Sequence, residues 1–165
     1  MPIGSIDPRK FREALGHYAS GVTIISGLVD GDPVGFTCQS FYSVSLDPPL
    51  VSFSVQRTSN SWPKLRAASN FAINVLSSDQ IEVSNAFARS TGNRWENVRW
   101  RTSPHKCPVI DDALLWLDCG HHVEHEAGDH WVVICRVNSI SEVHALGDRS
   151  PLIYYKGRYR QLTAL

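Results

Sequence analysis

The chain has 165 residues, enough for one domain around a single substantial core and too few for a separate nucleotide-binding domain. Sixteen basic and sixteen acidic residues cancel with no basic run, so nucleic acid is not expected as a partner. No apolar run approaches the roughly 18 residues of a membrane span and MPIGSIDPRKF lacks a signal-like apolar region, so the expectation is one soluble, cytoplasmic domain over residues 1–165.

Asp7 before Pro8 is a helix-start signal, and Phe11, Leu15 and Tyr18 recur at helical spacing behind it, predicting a short amphipathic helix. Val22 to Val29 is rich in β-branched residues, and the turn cluster Asp30, Gly31, Asp32, Pro33 joins it to a strand beginning at Val34. From Val34 to Val55 two apolar strands flank a hydroxyl-rich connection, Thr37, Ser40, Ser43 and Ser45, closed by the break at Asp47, Pro48 and Pro49. A short helix is predicted from Ser61 to Ala68 and a buried strand from Phe71 to Leu76. Ser77, Ser78 and Asp79 offer caps for a helix carrying Ile81, Val83, Ala86 and Phe87.

Residues Arg89 to Pro108 sustain no period and read as a long irregular loop of the kind that serves as a functional lid. Leu114 to Glu126 and Trp131 to His144 read as long strands joined at Ala127, Gly128 and Asp129, which leaves His130 at a strand mouth. Along the first of them Leu115, Leu117 and Cys119 form a core face, while Trp116 marks a covered second face for which a partner chain is the expected cover. Leu152 to Tyr155 is a last short strand before a Lys156-Gly157 turn. Six or seven strands with short turns and two or three helices predict a mainly β, largely antiparallel barrel with a helical excursion.

For chemistry, no GxGxxG or GxxxxGK[ST] string is present, so neither a Rossmann turn nor a Walker loop holds a phosphate here. The hydroxyls and backbone N–H groups between Thr37 and Ser45 form a candidate cofactor cradle; on residue types alone a ligand-free, serine-rich hairpin connection fits equally well. His121 and His125 share a strand face but lie about 13 Å apart, too far for one metal at bonds near 2 Å, and His105 and Cys107 lack a second ligand pair. No metal is expected. There is no GxSxG elbow, and Asp129 and His130 are adjacent instead of posed as a triad. Cys38, Cys107, Cys119 and Cys135 form no CxxC pair and fit reduced thiols.

The segment TCQSFYSVSLDPPLVSFSV resembles the signature of the flavin reductase-like family, the small NAD(P)H:flavin oxidoreductases that supply reduced flavin to two-component monooxygenases. FREALGHYASGVTIIS, FAINVLSSDQ, AGDHWVVICRV and PLIYYKGRYRQL follow in the family's order and spacing, so the resemblance spans nearly the whole chain. Cys38 and Gln39 replace the commoner Ala and Asn, as in reductases of actinobacterial phenol-type and steroid-ring hydroxylases.

The resemblance implies an FMN-binding split β-barrel, antiparallel and Greek-key-like with a few short helices, working as a homodimer. Thr37, Cys38, Gln39, Ser40 and Ser45 belong to its flavin cradle, Ser54 and Val55 line the isoalloxazine, and Ser59 and Ser61 stand on the phosphate side. Phe87 and Arg89 lie where a helix end approaches the flavin, Tyr155 is the aromatic on the nucleotide side, and His130 of the Gly-Asp-His turn meets the nicotinamide. FMN or FAD is the implied flavin and NADH the implied donor, with Arg89, Arg94 and Arg99 able to serve a 2′-phosphate and so NADPH. A separate flavin-dependent oxygenase is the implied partner. Two rival readings are a flavin carrier with no nucleotide site and an FMN-retaining oxidase. The absence of arginine and lysine between Val34 and Gln56 disfavours the oxidase.

Overall fold

The computed structural model describes residues 6–142 and 147–164. In α1 (Pro8–Leu15) the Asp7 carboxylate accepts from the Arg9 N–H at 2.8 Å and Pro8 supplies the preset φ of the first turn. No residue of this helix is buried, and Phe11, Leu15 and Tyr18 remain 53%, 57% and 84% exposed. A two-residue β1 (Ser20–Gly21) leads to β2 (Thr23–Val29), which turns through Asp30 and Gly31 into β3 (Asp32–Cys38). Both turn residues have positive φ, as a two-residue hairpin between right-twisted strands requires.

The next hairpin pairs β4 (Tyr42–Leu46) with β5 (Pro49–Gln56), which corrects the expected connection from Thr37 to Ser45. Only Gln39, Ser40 and Phe41 connect; Ser43 and Ser45 lie within β4, because Tyr42, Val44 and Leu46 alternate as a strand that intervening serines do not interrupt. The chain continues through α2 (Trp62–Arg66), β6 (Phe71–Val75) and α3 (Ile81–Ala88). Gln80, not Ser77, Ser78 or Asp79, occupies the cap of α3, and its Oε1 accepts from the Ser77 N–H at 3.1 Å.

The expected irregular loop from Arg89 to Pro108 also contains regular structure: β7 (Trp100–Thr102) pairs with β8 (Pro108–Ile110). The long hairpin is β9 (Leu115–Ala127) with β10 (His130–Ile140), and of the expected extension to His144 residues 143 and 144 lie outside the described residues. A final hairpin joins β11 (Ile153–Tyr155) to β12 (Arg158–Arg160) through Lys156 and Gly157, both at positive φ.

The main antiparallel sheet has seven strands in the order β3-β2-β6-β9-β10-β5-β4. It curls until its edge strand β3 meets β5, where the Phe36 and Phe53 ring centroids lie 6.2 Å apart. Inside, Phe53, Trp62 and Phe71 meet edge to face at 5.3, 6.1 and 5.9 Å, contacts worth about 0.5–1.5 kcal/mol each beyond area burial. A second core of Ile24, Leu76, Phe87, Ile110 and Leu152 lies beneath α3. Ile25 faces the barrel and Ile24 faces α3, so β2 is covered on both sides and reads as a continuous apolar run.

Trp116 packs against Ala72, Cys107 and Val109, so the chain's own β7–β8 hairpin covers part of this face of β9. The hairpin is latched by Asp118, which is fully buried. It accepts from Ser103 Oγ at 2.6 Å, Ser139 Oγ at 3.0 Å and the His105 N–H at 3.3 Å, and it faces His105 Nδ1 at 3.1 Å. A buried carboxylate is tolerated only with such saturation. Among the described residues no helix is long and apolar enough to cross a membrane.

Replacing Asp118 by Ala strands the Ser103 and Ser139 hydroxyls and should lower the unfolding free energy by about 3 kcal/mol in a urea titration. A loss below about 0.5 kcal/mol, the range of a surface substitution, would show that the carboxylate does not latch the hairpin.

Candidate cofactor-binding site

The seam where β3 meets β5 is closed by side chains, since these strands are not neighbours in the hydrogen-bonded sheet. Ser40 Oγ accepts from the Ser54 N–H at 2.7 Å and donates to the Ser54 carbonyl at 3.0 Å, standing in for a missing strand residue. The Cys38 thiol lies 3.2 Å from Ser40 Oγ and 3.8 Å from the same carbonyl. Thr37 is held from the opposite side: its Oγ1 donates to the Ser84 carbonyl in α3 at 2.7 Å. Ser84 Oγ in turn meets the Tyr159 hydroxyl at 2.8 Å, which donates to Asn85 Oδ1 at 2.9 Å. Close passage of β3 under α3 requires Gly35, where a Cβ would stand 2.9 Å from both the Ile25 carbonyl oxygen and Phe87 Cε1.

Along β5 the residues Val51, Phe53 and Val55 enter the barrel core, so Ser54 and Gln56 face the other way. The register sets Ser54 opposite Val132 and Gln56 opposite His130, which places His130 on the face of Ser54, two pairs further along. The Arg57 N–H donates to the Asp129 carbonyl at 2.9 Å and so ties the β9–β10 turn, with Gly128 at φ 64°, to the end of β5.

His130 Nδ1 lies 2.7 Å from Asp129 Oδ1, and that hydrogen bond, with the attraction of the imidazole, holds the Asp129 carboxyl below its ordinary value. The carboxylate therefore stays ionised through the neutral range. It fixes the proton of a neutral imidazole on Nδ1 and leaves Nε2 as an acceptor. Past β5, Ser59 Oγ accepts from the N–H groups of Ser61 at 3.3 Å and Trp62 at 3.1 Å, capping α2. Ser61 Oγ accepts from Arg94 Nη1 at 3.1 Å, and the same nitrogen donates to the Gly35 carbonyl at 2.8 Å.

The fold thus brings together Thr37, Cys38, Gln39, Ser40 and Ser54, continues to Ser59 and Ser61, and sets His130 beside them. The side chains of Val55 and Phe87 are buried in the two cores, which leaves Val55 only its backbone to offer. Ser45 does not reach the seam: it pairs with Leu50, four residues and about 13 Å along β5 from Ser54. Arg89 is exposed at the C-cap of α3 and Tyr155 lies on β11, and among the described residues no hydrogen bond joins either to the seam.

Burial pushes the Cys107 and Cys135 thiols up to about 12, with the Asp118 carboxylate adding to Cys107, and raises Cys38 and Cys119 likewise. All four are uncharged thiols at neutral pH, so none is a nucleophile. Among the described residues no group of three or more His, Cys, Asp or Glu is placed to hold a metal ion.

Two clefts, of about 400 and 270 Å³, lie elsewhere, around Arg99, Ile110, Asp111 and Asp112. Their arginines are neutralised, Arg99 and Arg149 by Asp112 and Arg101 by Asp111. The seam from Thr37 to Ser40 and at Ser54 is instead an uncharged face with hydrogen-bonding edges, and among the described residues the Asp129 carboxylate beside it is held by His130. Such a surface fits the uncharged ring system of a flavin, which needs directional hydrogen bonds and little charge.

Sequence reasoning did not foresee the roles of Arg94, Ser84 and Tyr159. Arg94 lies 59 residues from Gly35 and 33 from Ser61, and no local pattern announces such a contact. Substituting Ser40 by Ala removes both bonds to Ser54 and should lower stability by about 1–3 kcal/mol, whereas Ser43→Ala on the exposed side of β4 should change it by less than about 0.5 kcal/mol. Equal effects in denaturant titrations would mean that Ser40 does not hold the seam.

Residues 15–163 match the model of the flavin reductase-like domain. The chain is 41% identical over 155 residues to the reductase subunit HsaB of a flavin-dependent monooxygenase from Rhodococcus jostii, covering 94% of this chain and 78% of that protein. The crystal structure of a nitrilotriacetate monooxygenase component B homologue from Mycobacterium thermoresistibile superposes with a TM-score of 0.90 at 41% identity, covering 94% of this chain and 86% of that one. The NADH:FAD oxidoreductase SgcE6 of Streptomyces globisporus, solved with NAD and FAD fragments, gives a TM-score of 0.87 at 29% identity and 96% coverage of each chain. A match over nine-tenths of the sequence, on a sheet whose seam fits a flavin, establishes that the chain belongs to the flavin reductase-like domain family.

Proposed function

We propose that this chain passes hydride from NADH to free FMN or FAD and so supplies reduced flavin to a separate flavin-dependent oxygenase. The observation that carries the reading is the placement, on one face of β5 and β10, of the neutral Ser40–Ser54 seam and His130, whose Nδ1 is engaged by Asp129. The names of the relatives in Rhodococcus and Streptomyces support the same chemistry.

Both redox partners are brought in as small molecules: the hydride leaves nicotinamide C4 and is accepted at flavin N5. The protein then needs no general base, which accounts for a site without a poised acid-base pair and with its thiols protonated. Its own work is orientation. The backbone of Thr37, Cys38, Gln39, Ser40, Ser54 and Val55 holds the ring edge. Ser59 and Ser61 face the chain that leaves the ring, and His130 Nε2 accepts from the nicotinamide carboxamide. Asp129 keeps the imidazole in that tautomer. Phe87 backs the site from the second core, with Arg89 and Tyr155 at its margin. With few charged contacts the flavin is exchangeable, as a supplier of reduced flavin requires.

One chain leaves this face without a second wall, and Tyr42, Val44 and Leu46 on the adjoining edge strand are 55%, 42% and 92% exposed. A second copy covering β4 and completing the site is the homodimer we propose.

Purified protein should oxidise NADH only when FMN or FAD is added, and His130→Ala should raise the KM for NADH about 2- to 10-fold while leaving the flavin KM unchanged, the range expected for one lost hydrogen bond. Oxidation independent of added flavin, or an effect on flavin alone, would contradict the assignment. In sedimentation the wild type should be a dimer and Leu46→Asp a monomer with weakened flavin binding. A fully active monomer would remove the homodimer.

A further inference from the structure

The edge strand β3 is paired on one side only, with β2, so side-chain bonds and not a backbone ladder locate the run Thr37 to Ser40 along its free edge. On the barrel side Ser40 ties this run to Ser54. On the other side Thr37 Oγ1 ties it to the Ser84 carbonyl of α3 at 2.7 Å, so the cradle is placed no more firmly than α3 is. α3 rests on the second core through Ile81, Val83 and Phe87. Apolar contacts of that kind are non-directional: they hold a helix down without fixing its rotation or its slide along the sheet.

Directional contacts do fix them, and these come from Tyr159. Its Oη donates to Asn85 Oδ1 at 2.9 Å and lies 2.8 Å from Ser84 Oγ. The phenol has one hydrogen, which goes to Asn85, so Ser84 supplies the hydrogen of the second bond. Ser84 is fully buried, and its hydroxyl leaves its own helix for Tyr159 instead of turning back to the preceding turn. Alanine would fill that position and favour the helix, so packing does not account for the hydroxyl. Among the described residues, Thr37 and Tyr159 are the only side chains of other elements that hydrogen-bond to α3 between Ile81 and Ala88, and both meet at Ser84. Tyr159 is itself anchored in the separate β1-β11-β12 sheet, opposite Tyr154, with the two rings edge to face at 5.4 Å.

We infer that Tyr159 is a positioning residue for flavin binding: through Ser84 it sets α3 against β3, and so sets where Thr37 to Ser40 stand relative to Ser54. This rests on the flavin-reductase reading above and extends it to the C-terminal hairpin, whose Tyr159 makes no hydrogen bond to the seam itself among the described residues. The nucleotide side is independent of this link. His130 is placed by the pairing of β10 with β5 and by the bond from the Arg57 N–H to the Asp129 carbonyl, none of which passes through α3. Loss of the Tyr159 hydroxyl should therefore weaken flavin and spare NADH.

Tyr159→Phe keeps the ring and its contact with Tyr154 and removes only the hydroxyl. In the full-length protein, FMN fluorescence quenching should show the Kd raised about 3- to 10-fold, the range of one lost hydrogen bond, while the KM for NADH stays within about twofold. Tyr154→Phe, whose hydroxyl has no hydrogen bond among the described residues, should leave the FMN Kd within about twofold. Ser84→Ala cuts the same link from the other end and is the second probe should Tyr159→Phe fold poorly; the double variant should lose no more than Tyr159→Phe alone. Unchanged FMN affinity in both single variants, equal losses for FMN and NADH, or losses that add in full would each overturn the inference. Wild-type protein that does not quench FMN would overturn the flavin-reductase reading and this inference with it, whereas wild-type binding with unaffected variants overturns this inference alone.

Discussion

The structure depends on one unfinished closure. A seven-stranded antiparallel sheet curls until its edge strand β3 lies against β5, and there the backbone ladder stops. The gap is spanned by Ser40, which satisfies both the N–H and the carbonyl of Ser54, and by Arg94, which reaches from Gly35 to Ser61. A ladder would have consumed every backbone group along this edge. Closure by two side chains leaves donors and acceptors there for a ligand, and the aromatic interior of Phe53, Trp62 and Phe71 keeps the wall behind them rigid.

The distribution of charge separates this seam from the clefts around Asp111 and Asp112. Around Asp111 and Asp112 the surface is concave, but its arginines are already paired, so it offers an incoming anion little net attraction. At the seam the order is reversed: an uncharged face, a half-buried arginine at its end with no carboxylate partner among the described residues, and a histidine whose Nδ1 is held by an ionised neighbour. The proposed site rests on the balance of charge and hydrogen-bonding capacity, not on concavity.

Much of this was legible from the sequence because it is locally encoded. Asp7 and Pro8 announce α1, Asp30 and Gly31 announce the first hairpin, and the alternation after Leu114 announces β9. The misread segments share a physical cause. Tyr42 to Leu46 has its alternate positions filled by serines, which read as a loop until the register with β5 is seen. The β7–β8 hairpin is too short for a period of its own and owes its place to Asp118, which lies 15 residues from Ser103. Trp116 correctly signals a covered face, but no local pattern states that part of the cover comes from the same chain. At the seam, the contiguous run Thr37 to Ser40 is a local pattern that sequence can single out as a candidate, whereas Arg94 meets Gly35 across 59 residues of chain.

The central claim is that a flavin is held at the β3–β5 seam. Amide hydrogen exchange of the full-length protein, measured with and without added FMN, tests it most directly. The account predicts slowed exchange confined to residues 35–41 and 54–61, with the segment around Arg94 protected alongside them. Protection centred instead on the cleft formed by Arg99, Asp111, Asp112 and Trp116, with the seam unchanged, would contradict it.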